Sequence, residues 1–182
     1  DITKTTEEQR TTFLARVFQD PKLGTAPRMT VAENMLLASK RGEKRHLMPR
    51  RLKQRMAEFT KLAAQMNNGL ENRMTTPTGA LSGGQRQALS FLMATLKRPD
   101  ILLLDEHTAA LDPHTARNLL HATNQRITED HLTALMITHH MEDALKYGNR
   151  LIVLKDGQIK ADYNAAEKAQ LTVDDLYAYF EM

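Results

Sequence analysis

Several short segments place polar groups where a chain can hold a phosphate and a water molecule. The first is Leu81-Ser82-Gly83-Gly84-Gln85, at a point where a loop becomes a helix. Two glycines let the backbone approach an anion, and the first amides of the helix offer it positive partial charge. Taken alone, the same five residues also read as a Ser-capped helix behind a glycine turn. The second is Ile101-Leu102-Leu103-Leu104-Asp105-Glu106, an apolar run that ends in two acids. An Asp at the carboxyl end of a strand can hold a hydrated magnesium ion on a triphosphate, and an adjacent Glu can polarise the attacking water. That pairing suggests hydrolysis, although alone it is equally a solvated strand end. The third is Leu135-Met136-Ile137-Thr138-His139, whose imidazole can hydrogen-bond a γ-phosphate or a water, or be satisfied by backbone; His140 reads as solvated. Gln19 follows the apolar stretch Leu14 to Phe18, and its amide can ligate magnesium or orient water.

These residues need a scaffold of strands and helices. Phe13 to Phe18 reads as a short buried strand, closed by Gln19-Asp20-Pro21 and the loop Gly24 to Pro27. Thr30 and Glu33 have capping-box spacing, which predicts a helix to about Ser39. Lys40 to Arg55 carries eight Lys or Arg against one acid; a solvated helix face or a contact with anionic lipid or a partner would both explain it. Leu52, Met56, Phe59, Ala63 and Met66 then recur at helical spacing up to the stop at Asn67-Asn68-Gly69. A further helix after Ser82 bears Leu89, Leu92, Met93 and Leu96 on its apolar side. Ile101 to Leu104 and Leu132 to Thr138 read as strands buried on both faces of a parallel sheet, with a helix between them. Asp156-Gly157 predicts a hairpin joining Leu151–Leu154 to Gln158–Lys160, and Thr172 can cap a last helix bearing Val173, Leu176, Tyr177 and Phe180 on one side. Strands alternating with helices argue for an α/β layered fold.

Composition narrows the class. The 182 residues are 41% hydrophobic and 26% charged, as in soluble globular chains. Aliphatic runs such as Ile101–Leu104 fall far short of the roughly 18 apolar residues that cross a bilayer. With no cysteine and no basic-then-apolar leader, the expectation is a cytoplasmic protein. The net charge of +3 does not by itself call for a nucleic-acid partner. The chain begins at Asp1 in a polar stretch that reads like the middle of something, which suggests an upstream segment.

In this order the segments resemble the ATP-binding cassette family of ATPases. Leu81 to Gln85 matches the family's signature motif without change. Gln19 resembles the Q-loop glutamine, Asp105 the Walker B aspartate, Glu106 the catalytic glutamate, Ala109 to Asp112 the D-loop and His139 the switch histidine. The 23 residues from Ser82 to Asp105 and the 33 from Glu106 to His139 leave room for one crossover helix each. The resemblance implies a P-loop NTPase-type α/β layered fold with an inserted helical subdomain. It divides the chain into a Q-loop strand region (1–20), a helical subdomain carrying the signature (about 28–97) and a catalytic remainder with a C-terminal hairpin and helix (98–182). It implies ATP and Mg2+ as cofactors, with Glu106 and His139 catalytic. Gln19, Ser82, Gly83, Gly84, Gln85 and Asp112 would bind nucleotide, and Asp105 with Gln19 would hold the metal, partly through water.

Two departures stand out. The family usually has Pro after the catalytic Glu, where this chain has His107. No G-x-x-x-x-G-K-[ST] occurs anywhere, so the sequence resembles roughly the last two thirds of a cassette, without the phosphate loop and N-terminal strands. In the family that loop's strand lies inside the sheet, expected here beside the strand ending in Asp105. Its loss would open an apolar edge, which predicts poor solubility of the chain alone, and would leave Glu106 without a substrate in cis. The corner Ser82–Gln85 would still cap the ATP of an opposite subunit in a dimer.

The 63 residues from Gln19 to Ser82 carry no sustained heptads, which favours a transporter subunit over the coiled-coil cassette proteins of chromosomes and repair. A second ATPase subunit, transmembrane permease subunits docking near Pro21–Ala38 and a substrate-binding protein are then the implied partners. The chain would lie on the inner face of the membrane, with no nucleic acid involved. Arg16-Val17-Phe18-Gln19-Asp20-Pro21, Gly24-Thr25-Ala26 and Glu106-His107-Thr108-Ala109-Ala110 look most like ATPase components of bacterial importers, some of them for amino-acid-like cargo. The alternatives are a non-catalytic cassette remnant acting as an interaction module, and a soluble cassette ATPase acting on nucleic acid.

Overall fold

The computed structural model describes residues 1–43 and 51–180, so that residues 44–50 of the basic stretch lie outside the described residues. The chain divides into two compact units, 1–137 and 138–182. The helical segment expected at about 28–97 belongs to the same unit as the strands that flank it.

The first unit opens with α1 (Glu7–Arg10), capped by Thr6, and continues into β1 (Leu14–Val17). A 3-10 turn at Pro21–Gly24 leads to α2 (Val31–Ser39). The predicted capping box starts this helix: Thr30 Oγ1 accepts from the Glu33 amide at 3.2 Å and Glu33 Oε2 accepts from the Thr30 amide at 2.9 Å. Buried Asn34 ties the preceding loop to the helix, accepting from the Ala26 amide at 2.8 Å and donating to the carbonyls of Ala26, Met29 and Thr30. α3 (Leu52–Ala64) buries Phe59 and Ala63, as its periodicity requires, and ends before Asn67 and Gly69, both in left-handed conformations. α4 (Gly83–Thr95) is capped by Ser82 and buries Ala88, Leu89, Phe91, Leu92 and Ala94. It is the central helix, packing against α2, α3 and β1. Burying each such Leu or Phe contributes about 1.5–3 kcal/mol.

β2 (Ile101–Asp105), α5 (Pro113–Glu129) and β3 (Thr133–Ile137) complete the unit. The strands form one parallel sheet in the order β1-β2-β3, with Arg16 opposite Leu103 and Asp105 opposite Ile137. Two expectations are corrected here. β1 and β2 are buried on one face only: Ala15, Val17, Leu102 and Leu104 join the core, while Arg16 is exposed and Ile101 and Leu103 are half-buried. On β3, Leu135 and Ile137 are exposed, each at 58%. The reason is the side-chain period of two, since the helices of this unit cover a single face of the sheet. The second correction concerns the open edge. β2 is hydrogen-bonded on both sides, so the sheet has no open edge beside the Asp105 strand; its edges are β1 and β3.

The second unit contains α6 (Met141–Lys146), β4 (Leu151–Lys155), β5 (Gln158–Tyr163), α7 (Ala165–Lys168) and α8 (Val173–Tyr177). Asp156 and Gly157 both have positive φ, 53° and 70°, as the predicted type I′ turn demands. Buried Lys168 donates to the carbonyls of Tyr147 and Gly148, which satisfies its ammonium without a carboxylate. The capping box Thr172/Asp175 is present, but only Leu176 of the expected apolar side is buried; Tyr177 and Phe180 are 48% and 46% exposed. Among the described residues no helix is long and apolar enough to cross a membrane.

Candidate nucleotide site

Parallel pairing makes β1 and β2 leave the sheet at the same end, so the residues after them meet. Gln19 Nε2 donates to Glu106 Oε2 at 3.2 Å. Glu106 sits at φ 42°, a left-handed conformation that costs a non-glycine residue about 1–2 kcal/mol. Its amide donates to the Ile137 carbonyl at 3.0 Å, and its carbonyl accepts from Ala109 at 3.0 Å. The ladder to β3 therefore runs one step beyond Asp105, and the chain then turns sharply. Strain of this kind, held by the surrounding bonds, is characteristic of functional positions.

Asp105 has a partner that the sequence reading did not foresee. Arg16 Nη2 donates to its Oδ2 at 2.5 Å, and the Arg16 guanidinium also lies 4.7 Å from the centroid of the Phe18 ring. Only the strand register reveals this pairing, since 89 residues separate the two in sequence. Gln87 is a second residue the sequence did not single out. It is buried on α4, and its Nε2 donates to the Phe18 carbonyl at 2.9 Å, fixing the turn that carries Gln19.

His107, where the resembled family usually has Pro, is only 2% exposed, and its Nε2 is a buried nitrogen without a hydrogen-bond partner. Burial pushes its pKa down to about 4, so the ring is neutral at physiological pH.

The signature corner lies in a cleft of about 400 Å³ between the start of α4 and the start of α5, lined by Asn68, Ser82, Gly83, Asp112, His114 and Asn118 among others. Ser82 Oγ accepts from the Gln85 amide at 3.2 Å, and Gln85 Oε1 accepts from the Ser82 amide at 3.3 Å. Gln85 Nε2 donates in addition to the Asn68 carbonyl at 3.2 Å, so that this side chain anchors the corner. The two glycines differ in their surroundings. A Cβ on Gly84 would lie 2.4 Å from Thr115 Cγ2, so packing against α5 requires that glycine. A Cβ on Gly83 would meet only Leu111, at 3.9 Å, which leaves Gly83 as the one open to a ligand. Asp112 caps α5 by accepting from the Thr115 amide at 3.0 Å, and its side-chain hydrogen bond with Thr115 holds its carboxyl below the usual range.

The expected residues thus fall into separate groups. Gln19, Asp105 and Glu106 converge at the end of β1 and β2, and Ser82, Gly83, Gly84, Gln85 and Asp112 line the cleft. His139 belongs to the second unit, where its ring stands 4.4 Å from that of His140.

Asp105 and the Gln19 carbonyl oxygen are hard oxygen donors, and among the described residues no cluster of three or more His, Cys, Asp or Glu builds a metal cage. Magnesium is commonly held by one or two carboxylates together with phosphate oxygens and water, so the residues present fit that ion.

A family model described as "ABC transporter" matches residues 1–109. The chain belongs to the ABC transporter family. Its fold is that of an ABC cassette, an α/β P-loop NTPase-like architecture. It aligns with TM-score 0.70 and 25% identity to a dimeric ATP-binding cassette in a post-hydrolysis state bound to ADP and Pi, covering 87% of this chain and 65% of that one. Among curated ABC relatives, the "Tyrosine transport ATP-binding protein" of Clostridioides difficile is 42% identical over 180 residues, 99% of this chain and 71% of that protein. The "Thiamine import ATP-binding protein ThiQ" of Escherichia coli is 31% identical over 159 residues, 87% of this chain and 64% of that protein. The "Phosphonates import ATP-binding protein PhnC" of Lactobacillus johnsonii is 35% identical over 108 residues, 59% of this chain and 42% of that protein.

Proposed function

We propose that this chain is part of the ATP-hydrolysing subunit of a bacterial ABC importer, working as a nucleotide-sandwich dimer beneath membrane permease subunits on the cytoplasmic face. The observation that carries this reading is the Gln19–Glu106 hydrogen bond beside Asp105, made at a strained backbone position.

Glu106 is the general base. Its Oε2, oriented by Gln19, takes a proton from a water whose oxygen attacks the γ-phosphorus, and ADP leaves with the electrons of the broken P–O bond. Asp105 and Gln19 would hold a magnesium ion, which would neutralise charge on the phosphates. His139, in the second unit, is the residue to which the family resemblance would give a hydrogen bond to a γ-phosphate. Ser82 and the open face of Gly83 present hydroxyl and amides to the ATP of the opposite subunit, while Gln85 and Asp112 hold the two helix starts that shape this corner. An importer of amino-acid-like cargo is the reading supported by the tyrosine transport relative, whose resemblance extends over nearly the whole chain.

The test is Glu106→Gln in the full gene product. Phosphate release is expected to fall by about 100-fold or more while ATP binding persists, since general-base catalysis contributes about that much. Hydrolysis at the normal rate in that variant would remove Glu106 from the mechanism.

A further inference from the structure

We propose that Arg16 is a positioning residue that sets the divalent-cation affinity of Asp105, holding the carboxylate as an ion pair and weakening cation binding until phosphates accompany the ion. This rests on Asp105 being the cation's ligand, as assigned above.

The geometry begins with the register. Arg16 stands opposite Leu103, so Asp105 is its diagonal neighbour two residues further along β2, on the same face of the sheet. The opposite face carries Ala15, Val17, Leu102 and Leu104, all buried, so the Arg16 side chain takes no part in the core. Instead the guanidinium reaches the carboxyl end of β2 and donates to Asp105 Oδ2 at 2.5 Å, with its Cζ 4.7 Å from the centroid of the Phe18 ring. The aromatic contact restricts the long side chain, which lowers the entropy lost in holding the pair. Both partners keep contact with solvent, at 47% and 32% side-chain exposure, so a cation can enter and the arginine can swing away.

The chemical consequence follows from charge. An arginine stays protonated at every relevant pH, so Asp105 always has a competing cation at its oxygen. A divalent ion binding there must share or displace the guanidinium, and the carboxylate alone gives it little. An ion that arrives on a triphosphate brings its own negative oxygens and tolerates the neighbouring charge. Arg16 thereby biases the site against loading with bare metal and in favour of the metal–nucleotide complex.

The experiment is a titration of Mn2+ followed by EPR, on the full gene product first without nucleotide and then with a non-hydrolysable ATP analogue, for wild type, Arg16→Met, Arg16→Gln, Arg16→Lys and Asp105→Asn. Without nucleotide, Arg16→Met and Arg16→Gln are expected to bind Mn2+ about tenfold more tightly than wild type, the size of effect that residues behind a metal ligand exert, with Arg16→Lys near wild type because it keeps the charge; with the analogue the difference is expected to shrink. Arg16 lies half-exposed outside the core, so all three variants are expected to melt with the wild-type midpoint. Equal or weaker Mn2+ affinity in both neutral variants would overturn the role of Arg16 while a loss of Mn2+ in Asp105→Asn left the cation assignment standing. Unchanged Mn2+ affinity in Asp105→Asn would overturn that assignment and this proposal with it.

Discussion

At the scale of single residues, His107 shows what one substitution inside a functional turn entails. Its imidazole is buried beside Glu106 with Nε2 unpartnered, and burial lowers its pKa to about 4 from an ordinary value of 6.5. Above pH 6.5 the ring is neutral in both the folded and unfolded chain. As pH falls from 6.5 toward 4 the unfolded chain takes up the proton first, so stability is lost across that window, by about 3 kcal/mol for this group alone. His107→Leu is expected to match or exceed wild-type stability at pH 7 and to lose less between pH 6.5 and 4, as read by denaturant unfolding at each pH. An acid profile identical to wild type would show that His107 is not the group titrating there. The acids Asp105 and Glu106 stand out in sequence only together with the other motifs, because an apolar run ending in two carboxylates is by itself equally a solvated strand end. The partner of Asp105 is not, since Arg16 meets it only through a strand register that no local pattern encodes.

At the scale of elements, local chemistry was the most legible part. The capping boxes Thr30/Glu33, Ser82/Gln85 and Thr172/Asp175 and the turn Asp156-Gly157 all form as their residue types require, because their hydrogen bonds close within a few positions. Faces were harder to read. A continuous run such as Ile101–Leu104 is the pattern of a strand buried on both sides, yet neighbours brought in by the tertiary fold determine which side is covered. Gly84 is a case where the chemistry was visible and the reason was not. Sequence suggests it for closeness to an anion, whereas its Cα faces Thr115 on the next helix. Gly84→Ala is therefore expected to cost about 1–3 kcal/mol by overpacking, and Thr115→Ser, which removes the offending methyl, to recover most of that. Urea denaturation of the two single variants and the double variant measures the coupling. Full stability of Gly84→Ala in the Thr115 background would contradict the packing argument.

At the scale of the whole molecule, one polypeptide presents two separate groups of candidate site residues. The end of β1 and β2 gathers Gln19, Asp105 and Glu106, while the cleft at the start of α4 gathers Ser82, Gly83 and Asp112. The cleft lining contains none of the first group, so the Ser82–Gln85 corner and the proposed general base are separate surfaces of this chain. Such a division makes sense in a dimer where each subunit's corner closes the other's nucleotide. The order of the motifs along the chain made this division legible, because each lies where a loop meets a helix or a strand ends. The exposed second face of the sheet, with Leu135 and Ile137, was not legible, because it depends on which elements cover it.

The central claim is that Glu106 drives hydrolysis within a nucleotide-sandwich dimer. It is tested most directly by the native mass of the full Glu106→Gln gene product in ATP and Mg2+, measured by light scattering during size exclusion. Since that variant binds ATP without consuming it, the account predicts twice the subunit mass with ATP and a single subunit mass with ADP. A variant that stays at one subunit mass in saturating ATP would contradict it.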